Sequence, residues 1–447
     1  MTEGSKDDLS SHLVVEEDAL WRTFLEICAF GGRFCGTDGE RRAAHFLEGR
    51  LRAAGLAEVE RREVDYVGWR CDECRLELPD RPGWTARVLP LVYSSATPKD
   101  GLVLEAVDLG RGAPEDFSRR RKDIAGRAVI LDTEYSFSAG SIHRRQKFLS
   151  ALEAGAAALV IVNPRGGGVP ATGSTRPEGS EIPAVGISKE DGAMVREMAG
   201  RPEGRIRLSL QTETTPARAA NLFGRIFGGD GRERVILCAH YDGHNCGESA
   251  IDNASGTAVA LELARLLSVR TRSFSRDFEV HFYSVEEWGL QGSRAYADSL
   301  SEDEAGRIAL AINLDVVAGS EHLTWMCNGF TDLAGWVQGA LGEEPTRCAV
   351  SEWVAINSDH ANYVRRGIPA LRLLAGMDEP ESRCGYHLSP ADTSDKVDLP
   401  ELAAAASVTS RLLLKALNHS GPIARHKTPD EVSRLLSFTY GFGPAPR

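Results

Sequence analysis

Residues 234–267 read RVILCAHYDGHNCGESAIDNASGTAVALELARLL, and they decide the fold. RVILCA is an unbroken apolar run of strand length that ends at His240, with Asp242 just beyond. A loop rich in Gly, Asn and Ser follows, and then GTAVALELARLL, an Ala- and Leu-rich helix. A continuously apolar strand leading into such a helix is the signature of a strand covered on both faces. The rhythm repeats downstream in FEVHFYSVEE (278–287), GSRAYADSL (292–300), IALAINLDVV (308–317), TDLAGWVQGAL (331–341), SDHANYVRRG (358–367), IPALRLL (368–374) and LPELAAAASVTSRLLLKAL (399–417). The expected fold class is α/β, a mixed, mostly parallel sheet sandwiched by helices.

In open α/β sheets, loops converge on a crevice beyond the carboxyl ends of the strands, and sites are built there. Here those ends are loaded: His240 and Asp242 follow RVILCA, Glu286 and Glu287 follow EVHFYSV, and Asp315 follows IALAINL. Carboxylates gathered at adjacent strand ends resist ionisation unless positive charge lies among them, and a pair of divalent metal ions is the simplest such charge. Imidazole and carboxylate without thiolate suit zinc, with manganese or cobalt possible, and argue against a purely structural zinc site. Two ions need a bridging ligand. Asp252, in the turn AIDNASG tightened by Gly256, is suited to that place because each of its two oxygens can take one ion.

Upstream the pattern differs. From Val14 to about Leu56 it is helical, with ALWRTFLEICAF and RRAAHFLEGRLRAAGL flanking the Gly-rich GGRFCGTDGE, and Gly55 as a stop signal. Short β-leaning segments follow, VERREVDYV, RLEL, PLVYSS, GLVLEAVDLG, GRAVILD, AALVIVN and EIPAVGIS, set among Gly, Pro and Asp turns. A chain of 447 residues exceeds the size at which one core usually keeps growing. The expected organisation is a flexible start (1–13), a catalytic domain from 14–89 and 216–420, a mostly β insert (90–215) and a C-terminal tail (421–447).

Five motifs, HYDGHNCGESAIDNASG, SVEEWGLQGS, LDVV, SDHANYVRRGIPAL and GYHLSPADTSDKVD, stand in this order, and together they resemble the signature of the M28 family of zinc aminopeptidases and their relatives. The resemblance implies a zinc-exopeptidase fold and two Zn2+ per chain, with His240 and Asp315 on one ion, Glu287 and His387 on the other, and Asp252 between them. It makes Glu286 the general base, and Asp242 the carboxylate that orients the His240 ring by accepting its other N–H. Tyr386 resembles the tyrosine that in some members donates a hydrogen bond to the tetrahedral oxyanion. Asp359 and His360 fall in a stretch the family often keeps near its site, which implies contact with substrate; the alternative is a helix N-cap and its first-turn residue. GRAVIL, RQKFLSALEAGAAALVIVN and IPAVGISKEDG resemble a protease-associated (PA) domain that shapes substrate access. The implied function is aminopeptidase action on short peptides or dipeptides, with a carboxypeptidase, a small-amide deacylase, a single-zinc glutaminyl cyclase or a non-catalytic relative as alternatives on the same scaffold.

The remaining features exclude other classes. A formal charge of -12 without a Lys/Arg-rich stripe excludes a nucleic-acid partner, leaving a peptide or small amide as substrate. The opening residues lack an apolar signal segment, and no apolar run reaches the ~18 residues of a membrane span, so the cytoplasm is the expected compartment and no membrane partner is expected. Nine scattered cysteines read as reduced thiols, and Cys71 with Cys74 lacks two further ligands for a zinc site. Of the other polar residues, His244 reads as pocket-lining or solvent-facing, His281 as a sheet-face histidine, Cys246 as a thiol near the ions, Glu248 as a contact for a substrate amine, and Arg365, Arg366 and Arg372 as surface charges.

Overall fold

The computed structural model describes residues 13–176, 181–229, 231–269, 274–342 and 348–437. The flexible start expected at 1–13 lies outside these residues except for Leu13, as does the end of the expected tail. Among the described residues thirteen strands join in one sheet. In its catalytic half the strands Arg234–His240, Asp277–Tyr283, Ile308–Leu314 and Ala370–Ala375 are parallel neighbours, with Leu323–Met326 antiparallel to Ala370–Ala375. The class expected from sequence, a mixed sheet covered by helices, is the class observed. Every residue of Ile308–Leu314 and of Ala370–Ala375 is buried, which requires cover on both faces. Helices Glu17–Cys28, Asp38–Ala53, Ser255–Ser268 and Leu399–Asn418 pack on one another and supply part of that cover.

Two features of the insert differ from expectation. Its four parallel strands, Leu102–Asp108, Ala128–Asp132, Ala158–Val162 and Ala184–Ile187, are accompanied by helices Pro114–Arg119, Arg121–Ile124, Arg144–Glu153 and Lys189–Ala199, so the insert is itself α/β and not mostly β. The physical reason is visible in its strands: Ile130, Val160 and Val185 face one apolar cluster while Val129, Leu159 and Ile161 face another. A strand apolar on both faces needs a helix on each. The boundary expected at 215–216 also falls inside a strand. Glu58–Glu77 and Arg205–Ile226 form one long antiparallel ribbon, from Glu58 opposite Arg225 to Glu77 opposite Arg207, bulged between Cys71 and Glu73. This ribbon carries the chain from one core into the other, so VERREVDYV and RLEL belong to one continuous strand.

The C-terminal stretch is not a plain tail. A helix, Pro429–Ser437, closes the described chain, and its Leu435 and Leu436 pack against the catalytic domain.

Candidate active site

Register places the site. His240 is the last residue of its strand and lies opposite Tyr283, the last residue of the neighbouring one. The next residues, Ser284 to Glu287, therefore turn over His240. Val285 takes a left-handed φ of 60°, and so does Val316 immediately after Asp315. Both turns aim carboxylates inward. Helix Ser255–Ser268 starts where Gly256 meets the strand carrying Asp315: a Cβ at Gly256 would lie 2.3 Å from the Leu314 carbonyl oxygen and 2.5 Å from Asn253 Oδ1. Asn253 Nδ2 donates to that carbonyl at 2.8 Å, and Asn253 Oδ1 accepts from the Gly256 N–H at 3.0 Å. Asn253 thus ties the Asp252 turn to the end of the Asp315 strand.

Around His240 the expected residues converge. Its Nε2 lies 3.1 Å from Asp252 Oδ1, 3.5 Å from Asp315 Oδ1 and 4.0 Å from Glu286 Oε2. His240, Glu286 and Asp315 each offer one ligand atom within 4.8 Å of the others, and all three are buried. Glu287 and His387 line the same small cavity of about 60 Å³. His387 Nδ1 lies 2.8 Å from the Cys384 carbonyl oxygen, which fixes the proton on Nδ1 and leaves Nε2 unprotonated. That Nε2 lies 3.3 Å from Ser136 Oγ.

The electrostatics call for a cation. Burial, with Glu287, Asp359 and Asp315 nearby, pushes the Glu286 carboxyl well above its usual range. Burial and Asp252 do the same to Glu287. Burial disfavours a charged His240 imidazole, yet Glu286, Asp242, Asp252 and Asp315 together hold it well above its usual value. Three buried atoms, His240 Nε2, Glu287 Oε1 and Asp315 Oδ1, have no hydrogen-bond partner among the described residues. Unsatisfied polar atoms are costly in a protein interior, and lone pairs converging on one point are what a divalent ion satisfies. The donor set, imidazole and carboxylate, fits zinc.

Several assignments are revised by the geometry. The His240 Nδ1 proton meets the backbone carbonyl of Asp242 at 3.2 Å, whereas the Asp242 carboxylate is 3.6 Å away. That carboxylate instead accepts the Glu286 and Glu287 N–H groups, each at 3.2 Å, and so holds the turn carrying both glutamates. Tyr386 does not line the cavity; its ring lies 4.3 Å from the Arg165 guanidinium. The reason is the short helical turn Arg383–Tyr386, which directs adjacent side chains apart, so that His387 faces the cavity and Tyr386 the insert. Asp359 and His360 are buried and do not line the cavity either. His360 Nε2 meets the Ala355 carbonyl at 2.6 Å, and burial pushes the Asp359 carboxyl up to about 7. Asp359 stands at the position before helix His360–Arg365 without capping it through its side chain. Glu248 accepts the Ser394 N–H at 2.6 Å, and Cys246 lines a separate cavity beside Cys35. Arg372 is no surface charge: it is buried, and its Nη2 lies 2.9 Å from Asp315 Oδ2. Burial opposes ionisation of Asp315, yet Arg372 beside it holds this carboxyl well below the usual range.

Three further residues contribute: Asp392 and Arg33, which the sequence singles out for no role, and His244, expected to line the pocket or face solvent and found buried. His244 Nε2 lies 3.0 Å from Glu287 Oε2. The Asp392 carboxylate accepts the Ile251 N–H at 2.7 Å and the Asp252 N–H at 3.2 Å, and burial pushes it up to about 8. Arg33, buried, donates to the carbonyls of Tyr241, Glu248 and Ser249 at 2.7, 2.7 and 2.8 Å, pinning the loop between His240 and Asp252. Asp392 and Arg33 lie within GYHLSPADTSDKVD and the Gly-rich GGRFCGTDGE, the only signal pointing to them.

Comparison with known proteins identifies the family. The pattern defining Peptidase family M28 matches residues 221–413, and that of the PA domain matches residues 88–195. The chain is 30% identical to the probable lipoprotein aminopeptidase LpqL of Mycobacterium tuberculosis, over 91% of this chain and 85% of LpqL. It is 27% identical to aminopeptidase YwaD of Bacillus subtilis, again over 91% of this chain and 85% of the relative. The crystal structure of BSAP, a zinc aminopeptidase from Bacillus subtilis, superposes with a TM-score of 0.69 at 25% identity, covering 93% of this chain and 100% of BSAP.

Proposed function

The chain belongs to peptidase family M28 with an inserted PA domain, and from that premise we propose that it is a two-zinc aminopeptidase that removes N-terminal residues from short peptides or dipeptides. The observation that carries the reading is the buried cluster around His240, whose carboxylates and unpartnered lone pairs need divalent charge. The names of the relatives, LpqL and YwaD, support the aminopeptidase direction, and the BSAP title supports zinc.

His240 and Asp315 would hold one ion, Glu287 and His387 the other, with Asp252 between them. Bound zinc supplies Lewis acidity, polarising the scissile carbonyl and lowering the pKa of a water toward about 7. The protein does the rest. Glu286, held over His240 by the Asp242-anchored turn, takes the proton of the attacking water and delivers it to the leaving amine nitrogen. Arg372 keeps Asp315 ionised, and the Cys384 carbonyl keeps the His387 ring in the tautomer that presents Nε2.

Metal analysis combined with a dipeptide panel tests the reading. Two zinc per chain, with chelator-sensitive cleavage of free-amine dipeptides only, is the expected result. Cleavage confined to N-blocked substrates would move the function to a carboxypeptidase or deacylase, and a chain that binds no metal would remove the mechanism.

A further inference from the structure

Cys71 and Cys74 stand three residues apart in strand Glu58–Glu77, a spacing that points side chains to opposite faces of a regular strand. The bulge cancels this. Cys71 lies opposite Thr212 and Cys74 opposite Leu210, which are two apart on their own strand, so Asp72 is the extra residue and both cysteines face one way. Two strand positions span about 6.6 Å, inside the roughly 4.4–6.8 Å between the Cα atoms of a disulfide. The sulfurs already meet. The Cys74 thiol hydrogen-bonds to Cys71 Sγ and holds the Cys71 thiol below its usual range, while Cys71 Sγ lies 3.0 Å from the Glu73 carbonyl oxygen. Burial instead pushes the thiols of Cys246 and Cys348 up to about 12. Cys71 and Cys74 are both half-buried and line a cavity of about 550 Å³, so a small reagent reaches them. Their surroundings differ. Cys71 packs on the cluster of Phe34, Trp69 and Trp288 beside the SVEEWG turn, and Cys74 on the insert cluster of Leu76, Val160 and Leu210.

We propose that Cys71 and Cys74 are a redox-active dithiol, which a small-molecule disulfide oxidises to an intrachain disulfide that locks the ribbon where it passes from one core to the other. Cys71 attacks, because the thiolate is the nucleophile and its neighbour favours that form. Its sulfur displaces one thiol from the small disulfide and forms a mixed disulfide. Cys74 then attacks Cys71 Sγ and displaces the second thiol. The hydrogens lost by the two cysteines end on the two released thiols, so the protein is oxidised and the small disulfide reduced. The extra residue at a bulge leaves the ladder open at that point, and a bond from Cys71 to Cys74 closes it covalently.

The test equilibrates the full, folded chain, without oxygen, in mixtures of reduced and oxidised glutathione, then traps remaining thiols with N-ethylmaleimide in denaturant. Trypsin cuts after Arg70 and Arg75 and releases Cys71–Arg75 with both cysteines, ready for mass spectrometry. This peptide should appear unlabelled and lighter by the two lost hydrogens, while the peptides holding Cys246 and Cys348 stay labelled. A synthetic peptide of residues 70–75 is the reference. The folded chain should favour the disulfide at least about 10-fold over it, because the bulge has already brought the sulfurs together. Cys74→Ser should stop at a glutathione adduct on Cys71, and Cys71→Ser should leave Cys74 labelled. Hydrogen exchange over Asp72–Arg75 and Leu210–Thr212 should slow in the oxidised protein. The proposal is overturned if the folded chain keeps both thiols in mixtures that oxidise the peptide, or if native Cys71 retains glutathione because Cys74 does not displace it. Unchanged hydrogen exchange in the oxidised protein would overturn the lock.

Discussion

At the scale of single residues, the two neighbouring glutamates of SVEEWG divide the work. Glu286→Gln is isosteric and removes only the proton acceptor, so zinc content should stay unchanged while kcat falls by at least ~100-fold, the usual contribution of a positioned base. Elemental analysis and dipeptide turnover on the same preparation check it, and a Gln variant with near-native kcat would remove Glu286 from the mechanism. Asp242→Ala makes a different prediction. It deprives the Glu286 and Glu287 N–H groups of their acceptor, and each buried donor so orphaned costs about 1–3 kcal/mol. The variant should therefore melt earlier and lose kcat together, whereas a role confined to orienting His240 would chiefly weaken zinc binding. His240, Glu286, Glu287 and Asp315 are legible in sequence because a charged residue ending an apolar strand has one place to go, whereas Asp252 rests on its turn and His387 on the motif resemblance. The partners of Arg372 and His244 are not legible in sequence because they lie far along the chain: Arg372 meets Asp315 across neighbouring strands, and His244 meets Glu287 across a loop. Tyr386 turns from the cavity for a local reason, since motif position says nothing of which way a short helical turn rotates a side chain.

At the scale of elements, the close approach of helix Ser255–Ser268 to strand Ile308–Leu314 sets the separation between Asp252 and Asp315. Gly256→Ala would press a methyl group against the Leu314 carbonyl and Asn253, and overpacking of this kind costs about 1–3 kcal/mol. Because the strain falls on the Asp252 turn, zinc affinity should drop more than thermal stability does; competitive chelator titration beside a melting curve separates the two, and a loss of stability alone would show that the turn yields elsewhere. Helix Arg144–Glu153 in the insert carries the opposite kind of constraint. Lys147 is buried and donates to the Arg111 and Asp132 carbonyls at 2.7 and 2.8 Å while pairing with Glu134 at 2.8 Å. Lys147→Met leaves those two carbonyls without their donor, at about 1–3 kcal/mol each, so it should destabilise the insert, seen as faster hydrogen exchange in strands Ala128–Asp132 and Ala158–Val162. Strand and helix identities were legible because runs such as VILCA and GTAVALELARLL differ in length and in their β-branched and Ala/Leu content. The helical content of the insert was underread, since short apolar runs do not say whether the cover on their two faces is helix or sheet.

At the scale of the whole molecule, the insert and the catalytic domain meet at the site. Besides the long ribbon, the insert segment 135–139 docks on the loop after Ala375: Tyr135 Oη donates to the Gly376 carbonyl at 2.6 Å and the Ala139 N–H donates to Asp378 Oδ1 at 2.8 Å. Arg165 donates to the Pro380 and Ser382 carbonyls at 2.8 and 2.6 Å. Between these anchors Phe137 is buried in the catalytic core, with its ring 4.6 Å from that of His387 and 5.5 Å from the Arg372 guanidinium. An aromatic ring lent by one domain to the core of the other makes the two unfold together, and it sets the position of His387 from outside the catalytic domain. Phe137→Ala, which deletes a buried ring, should lower stability by about 3–5 kcal/mol. Tyr135→Phe with Arg165→Ala leaves the ring in place and loosens only the polar anchors. If docking serves chiefly to hold the insert over the cavity, this double variant should raise KM for dipeptides several-fold with zinc content and melting point close to native. A fall in kcat at unchanged KM would mean instead that docking acts on His387 itself, and the insert would then be part of the catalytic frame and not only its rim.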